Sequence, residues 1–283
     1  MVLFHVEHSM QTKSSLPLGQ ISKSLTTRWL GRTFHFYNEV DSTNATAMDL
    51  AQQDAPEGTV VLAEQQLRGR GRGDRSWHSP AGVGIYCSIV LRPELSPAKT
   101  MLLTLMTAVA IARAVALETN LSPRIKWPND ILINDKKVVG ILLESKVGAT
   151  GVEHAIIGFG INVNHTPADL PQELLLAASS LFIELGEPVD RSKLITKILA
   201  EVEYLYEGLQ QGDFAIILEE WRHFSATLGR HVRILQQGEL TEGIAVDVTE
   251  EGALLVRVEQ DSLITVHAGD IEHLRIVTDD ADR

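Results

Sequence analysis

At 283 residues, 44% hydrophobic and 22% charged, the chain has an ordinary globular composition, with room for one sizeable core and a smaller second domain. A net charge of −12 argues against a basic nucleic-acid face and against a membrane-surface partner. The single cysteine, Cys87, falls in an apolar run and leaves no disulfide or cysteine-based metal site within one chain; no signal-peptide pattern opens the sequence, so the cytoplasm is the expected compartment.

Residues 1 to about 15 are polar and aperiodic and read as a tail, with no room for a helix-turn-helix domain. Ser22 to Leu30 predicts a short amphipathic helix, and Thr33 to Tyr37 alternates as a strand does. In the stretch from Asp41 to Ala51, Ser42 or Thr43 stands where a helix cap belongs, ahead of an apolar face of Ala47, Leu50 and Ala51. A helix N-terminus also suits an anion, so capping and binding are compatible roles there.

Between two apolar runs, Thr59 to Ala63 and Ile85 to Leu91, lies Gln65-Gln-Leu-Arg-Gly-Arg-Gly-Arg-Gly-Asp-Arg-Ser-Trp77. Gly69, Gly71 and Gly73 leave backbone N–H groups open to close approach, while Arg68, Arg70, Arg72 and Arg75 add fixed positive charge. Neighbouring arginines repel by roughly 1 kcal/mol each even near the surface, and a bound phosphate offsets that. A disordered nucleic-acid tract and a solvated loop are the competing readings; a Walker loop is absent from the sequence.

Further on, Ser96-Pro97 starts a helix to about Leu117, whose apolar run from Met101 to Ala112 is too short to span a bilayer and is followed by Arg113. Lys126-Trp-Pro-Asn-Asp130 leads into a hairpin, Ile131 to Asn134 and Lys137 to Glu144, turning at Asp135-Lys136, with Lys126 at a strand end beside Trp127-Pro128. A strand from Ala155 to Asn164 carries Gly158 and Gly160, where a ligand or backbone comes close, and sets Asn162 and Asn164 on one face. Helices are expected over 171–186 and 190–224. From Leu228 the pattern changes to short strands, Val232 to Leu235, Gly243 to Val248, Ala253 to Val258 and Ser262 to Ala268, which predict a small β-domain. The histidines form no metal-binding spacing, so no protein-held metal is expected, and no Gly-x-Ser-x-Gly marks a nucleophilic serine.

Four segments, Asp41-Ser-Thr-Asn44, Gln66 through Gly69-Arg-Gly-Arg72 to Trp77, Lys126-Trp-Pro-Asn-Asp130 with Lys137 and Gly140-Ile-Leu-Leu-Glu144, and Gly158-Phe-Gly-Ile-Asn-Val-Asn164, follow one another in an order and spacing that strongly resembles biotin protein ligases. The resemblance runs from about Leu18 to Ile276. It implies an α+β protein: a mixed β-sheet catalytic domain flanked by helices and related to class II aminoacyl-tRNA synthetases over 18–227, and a small SH3-like barrel over 228–278, with tails at 1–17 and 279–283. The implied reaction joins biotin to ATP, with accompanying Mg²⁺, as biotinyl-5′-adenylate and pyrophosphate, then passes the biotinyl group to a lysine of a biotin carboxyl carrier protein.

The family's biotin positions fall on Ser42, Thr43, Asn44, Gln66, Arg70, Gly71, Arg72 and Lys126; Gly69 and Trp77 complete the binding stretch, Trp127 is a wall and Asn162 a nucleotide contact. Arg72 and Lys126 are the implied catalytic pair on the adenylate phosphate. Asp74 stands where the family often has glycine, Leu67 replaces a common threonine and Arg68 a common small residue. The resemblance is to the monofunctional type, so no repressor activity, nucleic-acid or membrane partner is expected, and the assembly is a monomer or homodimer. A lipoate ligase or octanoyl transferase shares the fold but lacks the arginine-glycine loop, and a nucleic-acid module built on that loop requires salt-sensitive affinity.

Overall fold

The computed structural model describes residues 3–7, 16–149, 151–236, 239–267 and 270–273; the expected tail at 279–283 and the end of the strand expected to reach Ala268 lie outside them. Among the described residues eight strands form one mixed sheet: β1 (Leu3–Glu7), β2 (Thr33–Val40), β3 (Val60–Gln66), β4 (Gly84–Leu91), β5 (Arg124–Lys126), β6 (Asp130–Ile133), β7 (Lys136–Gly148) and β8 (Gly151–Asn162), in the order β1-β2-β3-β4-β8-β7-β6-β5. The first two pairings are parallel and the rest antiparallel.

All eight residues of β4 are buried, because this central strand is covered on both faces and therefore reads as an unbroken apolar run. One cover is α2 (Thr43–Gln52), whose Ala47 and Ala51 pack on Val61, Val90 and Ile156. The larger core holds α3 (Met101–Thr119) and α5 (Arg191–Gln210), with α6 (Ala215–Phe224) against α3. By length and composition α3, which runs seven residues beyond Ala112, is sufficient to cross a membrane; its buried position explains its apolar sequence without one.

Tertiary contacts move several boundaries. Residues 3–7, expected as tail, pair in parallel with Thr33–Tyr37 as β1. The first helix, α1, spans Leu18–Ser24 rather than reaching Leu30, since the Glu203 carboxylate accepts the N–H groups of Arg28, Trp29 and Leu30 at 2.7, 3.0 and 2.9 Å and holds that stretch as a turn. The helix expected over 190–224 is two helices, broken at Gly212 with φ +82°. That expected over 171–186 reduces to a 3-10 turn at Gln172–Leu174 and α4 (Leu181–Leu185), capped by the Ser180 side chain. The β6–β7 hairpin turns on Asn134-Asp135, both at positive φ as a two-residue primed turn requires, one residue before the expected place.

Beyond the sheet, β9 (His231–Gln236), β10 (Glu239–Val248), β11 (Leu254–Arg257), β12 (Leu263–Val266) and β13 (Asp270–His273) form an antiparallel sheet in the order β12-β11-β10-β9-β13. It is the small C-terminal β-domain expected from the sequence, with β13 as an additional strand.

One buried ion pair ties remote parts of the main domain together. Glu64 and Arg191, with side chains 7% and 6% exposed, meet at 2.9 Å. Glu64 also accepts the N–H groups of Leu16 and Gly82, and Arg191 donates to the Gly84 carbonyl. Removing one partner leaves a charge buried alone, so Arg191→Met should lower unfolding stability by about 3–5 kcal/mol in urea titrations. Glu64→Leu in the same chain should restore part of it; a single variant as stable as wild type would contradict the pair's structural role.

Candidate functional site

A cleft of about 870 Å³ opens beside the sheet. Its lining comes from the start of α2, the arginine-glycine segment, the corner Lys126–Asp130 between β5 and β6, the glycine positions of β7 and β8, and a rim from Leu170 to Ala178. Ser42, Thr43, Asn44, Gln66, Gly69, Arg70, Gly71, Arg72, Trp77, Lys126, Trp127 and Asn162, the residues expected to form a site, all line it.

The arginine-glycine segment is a narrow hairpin rather than an open loop. Trp77 N–H donates to the Gly69 carbonyl at 2.8 Å, Gly71 N–H donates to the Arg75 carbonyl at 2.7 Å, and Gly73 turns the tip at φ +62°. The N–H of Gly71, expected to be open to a ligand, is thus used inside the hairpin. Gly69 serves close packing as well: a Cβ there would stand 2.4 Å from the Trp77 carbonyl oxygen.

Trp77 seats the hairpin on the sheet. Gly140 and Gly160 face each other in the β7–β8 register, and the indole occupies the volume their side chains would need, with ideal Cβ positions 2.7 Å from Cζ3 and 2.2 Å from Nε1. The ring nitrogen is buried without a hydrogen-bond partner among the described residues. Lys137 Nζ lies 5.4 Å from the ring centroid and 2.6 Å from Asp130 Oδ1. The Lys137 backbone also fastens the rim, donating to the Ala177 carbonyl and accepting from Ser179 N–H at 2.8 and 2.9 Å.

A polar web holds the start of α2. Ser42 occupies the N-cap position, yet its side chain makes no capping hydrogen bond. Instead Gln66 Oε1, on β3, accepts from the N–H and the hydroxyl of Thr43 at 2.8 and 3.0 Å, satisfying from another element a donor that the helix leaves open. Gln66 Nε2 then donates to Ser79 Oγ at 2.9 Å. Asn44 donates to Glu144 at 2.8 Å, its Oδ1 lies 2.6 Å from the buried Ser88 hydroxyl, and Arg70 reaches the same Glu144 oxygen at 3.0 Å. Gly158 makes room for this: a Cβ there would fall 1.7 Å from Asn44 Oδ1. Ser79, Ser88 and Glu144 are the members that sequence reasoning did not single out. Ser88 reads as one more residue of a buried strand, and Glu144 is visible only as the end of a motif.

The cations differ in their surroundings. Arg70 is balanced by Glu144, and exposed Arg68 stands 3.7 Å from Asp41. Arg72 Nη1 is 3.4 Å from Asn129 Oδ1. Lys126, half-buried on the cleft, forms no ion pair among the described residues. Trp127 is fully buried and turns its indole N–H away, to the Gly252 carbonyl of the C-terminal domain at 3.0 Å. Asn162 donates to the Ser179 carbonyl at 2.9 Å. Asn164, expected on the same strand face, follows the end of β8 and binds the Val189 backbone. Behind the rim, burial pushes His165 down to about 4, and Asp169 is held below the usual carboxylate range by hydrogen bonds from Thr166.

Residues 37–162 match the Biotin/lipoate A/B protein ligase family, and residues 227–274 match the Biotin protein ligase C terminal domain. The bifunctional ligase/repressor BirA of Bacillus subtilis is 38% identical over 259 residues, 90% of this chain and 79% of that protein. The chain belongs to the biotin protein ligase family. Another relative, the biotin–[acetyl-CoA-carboxylase] ligase of Paracoccus denitrificans, is 33% identical over 77% of this chain and 91% of its own length. Among solved structures, biotin protein ligase from Aquifex aeolicus in complex with biotin and ATP superposes with a TM-score of 0.74 at 28% identity, covering 86% of this chain and 99% of that one. The α+β fold with an SH3-like C-terminal domain is therefore the family's own.

If Trp77 is what seats the hairpin on the sheet of this ligase, Gly160→Ala should unseat it. Trypsin is then expected to cut between Arg68 and Arg75 faster than in wild type, with far-ultraviolet circular dichroism unchanged. Equal cleavage rates would show that another contact holds the hairpin.

Proposed function

We propose that this chain is an ATP-dependent, AMP-forming ligase that biotinylates a carrier protein through the cleft described above. A biotin carboxylate oxygen attacks the α-phosphorus of MgATP, the new P–O bond forms as pyrophosphate leaves, and the product is biotinyl-5′-adenylate. A neutral lysine amine of a biotin carboxyl carrier domain then attacks the acyl carbon; the C–N bond forms, the acyl C–O bond to AMP breaks, and the amine gives up a proton to solvent as AMP departs. The ion enters on the triphosphate, as suits Mg²⁺, which keeps most of its waters.

The first step brings two anions together, so the chain must supply positive charge already in position. The observation that carries this reading is Lys126: a half-buried cation on the cleft with no counter-ion among the described residues, on the same cavity as Arg72. Both act on the α-phosphate and the attacking carboxylate. Thr43, Asn44 and Gln66, fixed by the polar web, hold the ureido ring together with Ser42 at the N-cap, with Gly69, Arg70 and Gly71 beside them. Trp77 and Asn162 border the bound adenylate, and Trp127 supplies the wall through its backbone and the edge of a buried ring. The hairpin covers the anhydride and keeps water from it.

The family match over residues 37–162 is shared with lipoate ligases; the C-terminal match and the named relatives favour biotin as the acid and a biotin-dependent carboxylase as the source of the carrier. Arg72→Ala and Lys126→Ala are each expected to lower biotin-dependent ATP–pyrophosphate exchange by about 10²–10³-fold. Their urea midpoints should remain those of the wild type. Wild-type exchange in either variant would remove that residue from the proposed role.

A further inference from the structure

The cleft cation Lys126 stands on the sheet's edge strand, and the edge is closed by chain from the C-terminal side. β5 is three residues long and pairs with β6 on one side only. Along its open side runs Ser225–Thr227, the segment that enters the C-terminal domain. Ala226 N–H donates to the Ile125 carbonyl at 2.8 Å, Ile125 and Ser225 form an isolated parallel bridge, and the Arg124 guanidinium donates to the Ser225 carbonyl. On the far side of Lys126, Trp127 N–H donates to Thr227 Oγ1 at 3.0 Å and the indole N–H donates to the Gly252 carbonyl at 3.0 Å. Thr227 is fully buried, and Trp127 is 1% exposed.

Lys126 is therefore bracketed. The residues before and after it have their backbone hydrogen bonds satisfied by the domain junction, while its own side chain has no ion-pair partner among the described residues to hold it in place. A buried N–H that loses its acceptor has strong reason to move, because no water reaches it. Moving Trp127 moves the strand end that carries Lys126. Displacement by a fraction of an ångström matters for a group that must meet a transferring phosphoryl centre.

We infer that Thr227, with the Gly252 carbonyl, is a positioning element for the adenylation step: the C-terminal domain fixes Trp127, and through it the place of Lys126. This rests on the ligase reading above. Neither Thr227 nor Gly252 lines the cleft, so the proposed effect reaches the reaction only through Trp127 and the strand end before it.

Thr227→Val keeps the shape and removes the acceptor; Thr227→Ser keeps the acceptor and removes a methyl group. In biotin-dependent ATP–pyrophosphate exchange with the full-length protein, Thr227→Val should show kcat lowered by about 10- to 100-fold with the KM for biotin unchanged. Thr227→Ser should restore the rate. Trp127→Phe, which retains an aromatic ring but lacks the indole N–H, should lose kcat in the same sense and provides the test should the valine variant fail to fold. Wild-type kcat in folded Thr227→Val or Trp127→Phe overturns the inference, as does a serine variant as slow as the valine one, which would assign the effect to packing. Absence of exchange in the wild type would instead defeat the ligase reading itself.

Discussion

The cleft depends on the removal of side chains from the middle of the sheet. Gly140, Gly158 and Gly160 leave bare backbone on neighbouring strands, and two large or polar groups occupy that space: the Trp77 indole over the first and last, the Asn44 amide over the second. Glycine in a strand interior weakens the strand, and here the loss is offset by burial of an indole and by a satisfied amide. Because Trp77 closes the arginine hairpin and Asn44 starts α2, the same three positions fix both walls against the floor. A strand with ordinary side chains at these sites would keep the sheet and lose the cleft.

Charge is then distributed unevenly on purpose-built supports. The chain carries −12 overall, yet its cleft gathers Arg70, Arg72, Lys126 and Lys137. Arg70 is matched by Glu144 and Lys137 by Asp130. Lys126 has no ion-pair partner among the described residues, and it stands on the strand end braced by the domain junction. A fixed cation facing a cavity costs desolvation that an anionic ligand relieves, which is how preorganised sites favour charge that develops during reaction.

Much of this organisation was legible in the chain itself. The central buried strands, the β6–β7 hairpin and the short strands of the C-terminal sheet follow from apolar runs and turn residues, and motif order points to residues that line the cleft. What escaped was set by partners remote in sequence. Glu203 unwinds residues 28–30 from 173 positions away or more, so no local pattern could place the end of α1. Ser42 sits at the cap position but Gln66 does the capping of Thr43 from β3, and Trp127, expected as a cleft wall, directs its polar edge to the barrel. The free N–H of Gly71 failed as an expectation for the opposite reason: glycine spacing suggested openness, and the hairpin used it for closure. β1 escaped because five residues carry no clear period and take their place by pairing with Thr33–Tyr37.

The central claim is that the cleft activates biotin, and its most direct test is acid selectivity in the first half-reaction. Purified protein with MgATP and labelled pyrophosphate should exchange label into ATP when biotin is supplied, and not when lipoate or octanoate replaces it. Exchange driven equally by lipoate or octanoate, or by none of the three in a folded sample, would contradict the account.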